Sequence, residues 1–275
     1  MEKTEALYDK FLDEYVSDDA VRKYTTLTAG YGITYLLKND YGQIYEDVVD
    51  KYLLASPAKP LRLIEFGCGA AMNITRLVEM LAEKGVQIDY AYGTDFSPRL
   101  VQAAGEEARA FLPAKLAGKL KFCVAHNERL VEDLAEGIGE AKSQIGSFDL
   151  VIGVNTFRYC HRFGTQDDCA KDIFRLLRPG GVCVNIDMND RFPAFRSRLR
   201  RGKETGVECY LPSLNEYSSP FESAGFEILK KGNFCWVPHS AGRALTACCA
   251  LMSPILNLFA RSRAMRSLVI ARKPV

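Results

Sequence analysis

The run Glu65-Phe66-Gly67-Cys68-Gly69-Ala70-Ala71 sets two glycines one residue apart, directly behind a short apolar segment. Glycines placed there let the backbone turn tightly and approach a ligand, with free amides offered at the start of the next helix. A dinucleotide loop wants a third glycine three residues after Gly69; Met72 stands there, which counts against a nicotinamide oxidoreductase. A second chemistry-bearing stretch is Asn155-Thr156-Phe157-Arg158-Tyr159-Cys160-His161-Arg162, which packs a phenol, an imidazole, a thiol and two guanidiniums into eight residues. His161 or Tyr159 can orient or deprotonate an acceptor. Cys160, His161 and Cys169 match no familiar metal spacing, and no metal is expected.

The elements that must hold these residues alternate. Residues 61–66 read as a strand and 73–84 as an amphipathic helix. Strand 88–94, helix 98–110, strand 120–124, strand 148–154, helix 166–177 and strand 181–186 follow. Such alternation implies right-handed crossovers and a parallel sheet covered on both faces, with ligands at the carboxyl ends of the strands. Residues 1–60 read as helical, broken near Thr28-Ala29-Gly30-Tyr31-Gly32, and form an addition before the main fold.

Four segments resemble the motifs of class I S-adenosylmethionine (SAM)-dependent methyltransferases. Glu65-x-Gly67-x-Gly69-x-Ala71 is similar to their first motif, and Tyr92-Gly93-Thr94-Asp95-Phe96-Ser97-Pro98 to their second. Phe148-Asp149-Leu150-Val151 resembles the fourth-strand motif, and Leu176-Leu177-Arg178-Pro179-Gly180-Gly181 the turn before the fifth strand. The matches fall in order across residues 61–188. The resemblance implies an α/β fold: a doubly wound, mostly parallel, seven-stranded Rossmann-like sheet with added N-terminal helices and a C-terminal insertion. The last two strands are then expected near 226–233 and 268–272. Residues 1–60 become a helical lid and 61–275 the SAM-binding domain, with insertions near 189–212 and 234–266.

The resemblance also implies roles. Asp95 would take the ribose hydroxyls, Phe96 would lie against adenine, and Gly67, Cys68 and Gly69 would face the methionine portion through their backbone. Glu65 would organise the loop or receive the ammonium. The family often has an Asp near the adenine amine; here Ala125-His126-Asn127-Glu128 departs from that, and His126 or Asn127 takes the place. The stretch from Asn155 would border the reaction centre, with Asn155 near the donor. For lid and acceptor contacts the expectation is Tyr24, Tyr31, Arg158 and His239, with glycines near Gly32 as a hinge.

Composition narrows the class of acceptor. The net charge is +2, which does not argue for nucleic acid, and the (Asp/Asn)-Pro-Pro-(Tyr/Phe) signature of amino-methylating nucleic-acid enzymes is missing. Residues 1–50 carry eleven acidic and five basic side chains, whereas no acidic residue follows Glu227. The basic, apolar C-terminal stretch suits packing on the N-terminal helices or a homodimer partner, and leaves peripheral contact with an anionic membrane open. Pro254 is expected to interrupt that stretch, so no transmembrane helix is expected. Nine cysteines without a CxxC, and a charged N-terminus without an apolar core, fit reduced thiols in a cytoplasmic protein. The expected function is methyl transfer from SAM, leaving S-adenosylhomocysteine, to a small and hydrophobic acceptor. A protein methyltransferase and a non-catalytic SAM-binding protein are the alternatives.

Overall fold

The computed structural model describes residues 30–54, 59–195 and 211–275. Its centre is a seven-stranded sheet in the order β3-β2-β1-β4-β5-β7-β6. The strands are β1 (Leu61–Phe66), β2 (Ile88–Asp95), β3 (Leu120–Val124), β4 (Phe148–Val154), β5 (Leu177–Met188), β6 (Glu227–Phe234) and β7 (Arg266–Arg272). β7 runs antiparallel to both of its neighbours, and every other pairing is parallel. The strand order reverses between β1 and β4: the path moves outward through β2 and β3, then restarts on the other side of β1. In a doubly wound sheet such a switch point opens a crevice at the carboxyl ends of the two strands.

β1 and β4 are buried almost throughout, as strands covered on both faces must be. Their side chains alternate between two cores. Leu63, Leu150 and Val184 face a core built with α1 (Tyr31–Lys38), α2 (Asp40–Val48), α3 (Met72–Glu83) and α4 (Pro98–Phe111). Ile64, Val151 and Cys183 face α5 (Leu130–Gly137), α6 (Phe157–Phe163), α7 (Gln166–Leu176) and α8 (Leu214–Ser223). Local signals set the helix starts. Ser97 accepts the Leu100 amide ahead of Pro98, and Ser213 and Glu216 form a capping box.

Two of the four family-like motifs meet each other away from the crevice. Arg178 Nε donates to Asp149 Oδ1 at 2.5 Å, and the Arg62 amide donates to Asp149 Oδ2 at 2.9 Å. This clamp ties the starts of β1, β4 and β5. The residues expected as a turn before the fifth strand lie inside β5 instead: Leu177 pairs with Phe148 across a register shift, and Gly180 takes φ +75°.

Between β6 and β7 the chain forms α9 (Arg243–Ala260), which packs against α1. It continues through Pro254, correcting the expectation of a break there. Residues 243–263 are long and apolar enough, by length and composition, to cross a membrane. Leu251, Leu258 and Phe259 are each at least three-quarters exposed. The helix leaves and rejoins one end of the sheet, since Phe234 and Arg266 are register partners.

Candidate active site

The crevice at the β1–β4 switch point opens into a cavity of about 650 Å³, within the range of about 300–1,000 Å³ typical of small-molecule sites. Its floor begins at the glycine loop. Gly67, Gly69 and Ala71 take φ of +58°, +54° and +66°, alternating left-handed residues that curl the loop ahead of α3. The Cys68 amide donates to Thr94 O at 2.8 Å, holding the loop against β2. A side chain at Gly67 would collide with Thr156: its Cβ would stand 2.0 Å from Thr156 Oγ1. That same hydroxyl accepts from Asn127 Nδ2 at 2.9 Å, so the loops after β1, β3 and β4 are interlocked.

Glu65 is fully buried and lies beneath the loop rather than on the cavity wall. Its carboxylate accepts the Ile74 amide at 2.9 Å and Asn73 Nδ2 at 3.0 Å, which fixes the start of α3. Of its two expected roles, organising the loop is the one this geometry allows. Burial pushes its pKa up to about 8, offset in part by those two donors.

Asp95 ends β2 and lines the cavity. Oδ2 accepts the Gly69 amide at 2.9 Å and Oδ1 the Ser97 amide at 3.0 Å. Each oxygen keeps a second lone pair, so the carboxylate still has capacity for two hydroxyl donors. Burial pushes its pKa up to about 6. Phe96, His126 and Asn127 line the same end of the cavity. The Asp133 carboxylate accepts from the His126 amide (2.9 Å) and pairs with Nδ1 (3.1 Å); since a carboxylate only accepts, Nδ1 carries the proton.

The opposite end is built from the ends of β4 and β5, the start of β7, α2 and the loop before α9. Asn155 lines it in a left-handed conformation, φ +57°. Arg158 and Tyr159, on α6, line it too. The Arg158 guanidinium lies over the Tyr159 ring at 4.3 Å and donates to its phenol oxygen. Behind Arg158 is Asp187, wholly buried, with Oδ1 3.6 Å from Arg158 Nε and Oδ2 accepting the Arg158 amide at 2.9 Å. Arg266, at the start of β7, donates through Nη1 to Asn155 Oδ1 (3.1 Å) and through Nη2 to His239 Nε2 (2.8 Å). Tyr41, on α2, meets the same nitrogen at 3.1 Å. Arginine only donates, so Nε2 of His239 is the acceptor and the ring is neutral, in keeping with burial that pushes its pKa well down.

Two expected residues lie elsewhere, and a third is not among those described. His161 is one helical turn beyond Phe157 and shares its buried face, edge-on to Phe157 and Tyr217, so it does not line the cavity. Tyr31 points outward, about half exposed, with the Arg243 guanidinium 5.6 Å above its ring. Tyr24 falls outside the described residues. Gly32, expected in a hinge, makes a close backbone contact: its amide donates to Ala241 O at 2.8 Å, and a Cβ would stand 2.3 Å from Pro238 O. Sequence reasoning missed Tyr41, Thr156, Met188 and Arg266, all cavity-lining. Tyr41 carries no motif around it, and Arg266 is one basic residue among many in the tail.

A family model described as a methyltransferase domain matches residues 58–225. The chain belongs to the methyltransferase family. Its sheet and glycine loop are those of the class I, SAM-dependent kind. A non-reducing polyketide synthase of Aspergillus terreus is 27% identical over 170 residues, or 61% of this chain; the chain spans only 6% of that protein's length. The methyltransferase also shares its fold with the CMeT domain of the citrinin polyketide synthase, with TM-score 0.59 and 15% identity, covering 96% of this chain and 59% of that one. A second solved fold relative is the CurJ carbon methyltransferase, with TM-score 0.58 and 14% identity over 93% and 58% of the two chains.

Proposed function

We propose that this methyltransferase moves the methyl group of SAM to a carbon atom of a small, polyketide-like acceptor held in the cavity. The observation that carries this reading is the sequence relationship to polyketide synthases, joined to a cavity of small-molecule size at the switch point. SAM supplies an electrophilic methyl, so the protein's share is positioning and exclusion of water. Gly67, Cys68, Gly69, Asp95, Phe96, His126 and Asn127 would hold the donor, with two hydroxyls on the Asp95 carboxylate. Asn155, Arg158, Tyr159, Tyr41, His239 and Arg266 would surround the acceptor.

A carbon flanked by carbonyls gives up its proton readily, and the resulting charge rests on oxygen. The acceptor end suits such a nucleophile. Asp187 is wholly buried against Arg158, and His239 spends its Nε2 on Arg266 and Tyr41. Burial raises the Tyr41 phenol pKa far above the working range. These groups are already engaged and serve better as positioners than as proton acceptors, which favours an acceptor that ionises easily by itself.

Calorimetry with S-adenosylhomocysteine, followed by labelled-methyl transfer to a panel of β-diketones, phenols and amines, tests the reading. Incorporation into the diketones at carbon is expected. Label confined to oxygen or nitrogen would refute the carbon assignment, and no binding of S-adenosylhomocysteine would refute the donor site.

A further inference from the structure

Arg266 is 4% exposed, and among the described residues its guanidinium donates to two neutral acceptors, Asn155 Oδ1 and His239 Nε2. Its Nε atom is buried and has no hydrogen-bond partner among the described residues. Arg158 lines the same end of the cavity and has Asp187 as its ion-pair partner. Among the described residues these two guanidiniums thus share one carboxylate, and the His239 ring that meets Arg266 is neutral. Leaving a buried cation without a counter-charge is destabilising. Here that cost is sustained at a wall of the cavity, where a ligand can supply the missing charge.

We propose that Arg266 is the anchor for an anionic oxygen of the acceptor, so that the methyl acceptor is an acid: a carboxylate or an enolised β-dicarbonyl. The proposal rests on the methyl-transfer reading above and narrows it to a substrate class. Phe195, whose ring lies 5.9 Å from the guanidinium, with Met188 and Met265 forms an apolar collar for the rest of the molecule. Arg266 at one end and the cationic donor at the other would then hold an acceptor of opposite charge between them. The same chemistry has a second source, the carboxylate of the donor's own methionine portion, and the test must separate the two.

Calorimetry is run on the full chain saturated with S-adenosylhomocysteine, using octanoate, a β-diketone of similar length and the matching mono-ketone as probes. The two acidic probes should bind about tenfold or more tighter than the mono-ketone, as a charge-assisted hydrogen bond provides. Arg266→Met should erase that preference, Arg266→Lys should keep part of it, and both should bind S-adenosylhomocysteine within about threefold of wild type. Equal binding of all three probes to wild type overturns the proposal without needing any variant. A parallel loss of S-adenosylhomocysteine affinity in Arg266→Met also overturns it, by assigning the guanidinium to the donor. If wild type binds no S-adenosylhomocysteine at all, the methyl-transfer reading falls and this proposal falls with it.

Discussion

Asp95 Oδ2 accepts the Gly69 amide at 2.9 Å, which fastens the carboxylate at the end of β2 to the glycine loop at the end of β1. One side chain therefore shapes the loop and faces the cavity. The consequence is a proton-linked site. Burial outweighs the two backbone donors and pushes the Asp95 pKa up to about 6.

A carboxylate receiving two hydroxyls must be ionised, so protons and the donor compete for Asp95 below that pH. S-adenosylhomocysteine affinity should fall by about tenfold between pH 7 and pH 5, as the ionised fraction does for a group titrating near 6. Asp95→Asn should lose about that much at pH 7 and become insensitive to pH over the same range. Calorimetry across these pH values measures both, and a flat wild-type profile would exclude this role for Asp95.

Glu65 gives a stability prediction of definite sign. Its folded pKa of about 8 lies above the ordinary 4.5, so the folded state favours the protonated form. The stability contribution is complete below about pH 4.5 and is lost as pH rises through 8. Glu65→Gln, which stays neutral, should gain on wild type by a few kcal/mol between pH 5 and pH 8, at about 1.4 kcal/mol per unit. Urea unfolding of the two ligand-free proteins at several pH values gives the difference directly; parallel curves would mean that Glu65 stays ionised in its site.

Gly67 and Gly85 make a matched pair. Both have positive φ, +58° and +74°, but a Cβ at Gly67 meets Thr156 Oγ1 at 2.0 Å while one at Gly85 meets nothing within 4 Å. Gly85→Ala should cost only the left-handed penalty of about 1–2 kcal/mol. Gly67→Ala should cost about 1–3 kcal/mol more through overpacking. It should also weaken S-adenosylhomocysteine binding, because a displaced Thr156 releases Asn127 as well. Thermal unfolding with and without that ligand reads both effects; equal losses for the two variants would show that Thr156 yields freely.

The end of the cavity proposed for the donor was legible in the sequence because its residues are neighbours along the chain. Residues 65–71, 95–97 and 126–127 stand at or just after the carboxyl ends of β1, β2 and β3, and the sheet brings those ends together. The acceptor end was less legible. Tyr41, His239 and Arg266 meet at His239 Nε2 from three distant segments, and only the docking of α2 against the loop before α9 unites them. His161 misled for a related reason: local density of functional groups says nothing of which helix face is buried. The fifth strand was drawn too short because the Pro179-Gly180-Gly181 signal reads as a turn, whereas a register shift absorbs it within β5.

Tyr159 and His161 lie two residues apart on α6 and are expected to respond in opposite ways. Tyr159 lines the cavity, and its phenol oxygen accepts from the Arg158 guanidinium. Tyr159→Phe removes that acceptor from a half-buried guanidinium, at about 1 kcal/mol. Octanoate binding to the S-adenosylhomocysteine complex should change severalfold or more as Arg158 shifts. His161 packs among Phe157 and Tyr217, and burial lowers its pKa to about 4, so it is neutral at working pH. His161→Leu keeps an apolar group of similar bulk there and should leave octanoate affinity, and any pH dependence near 6.5, unchanged. A His161→Leu protein that stays folded yet loses octanoate binding would show that the imidazole reaches the acceptor, and would overturn its assignment to the core.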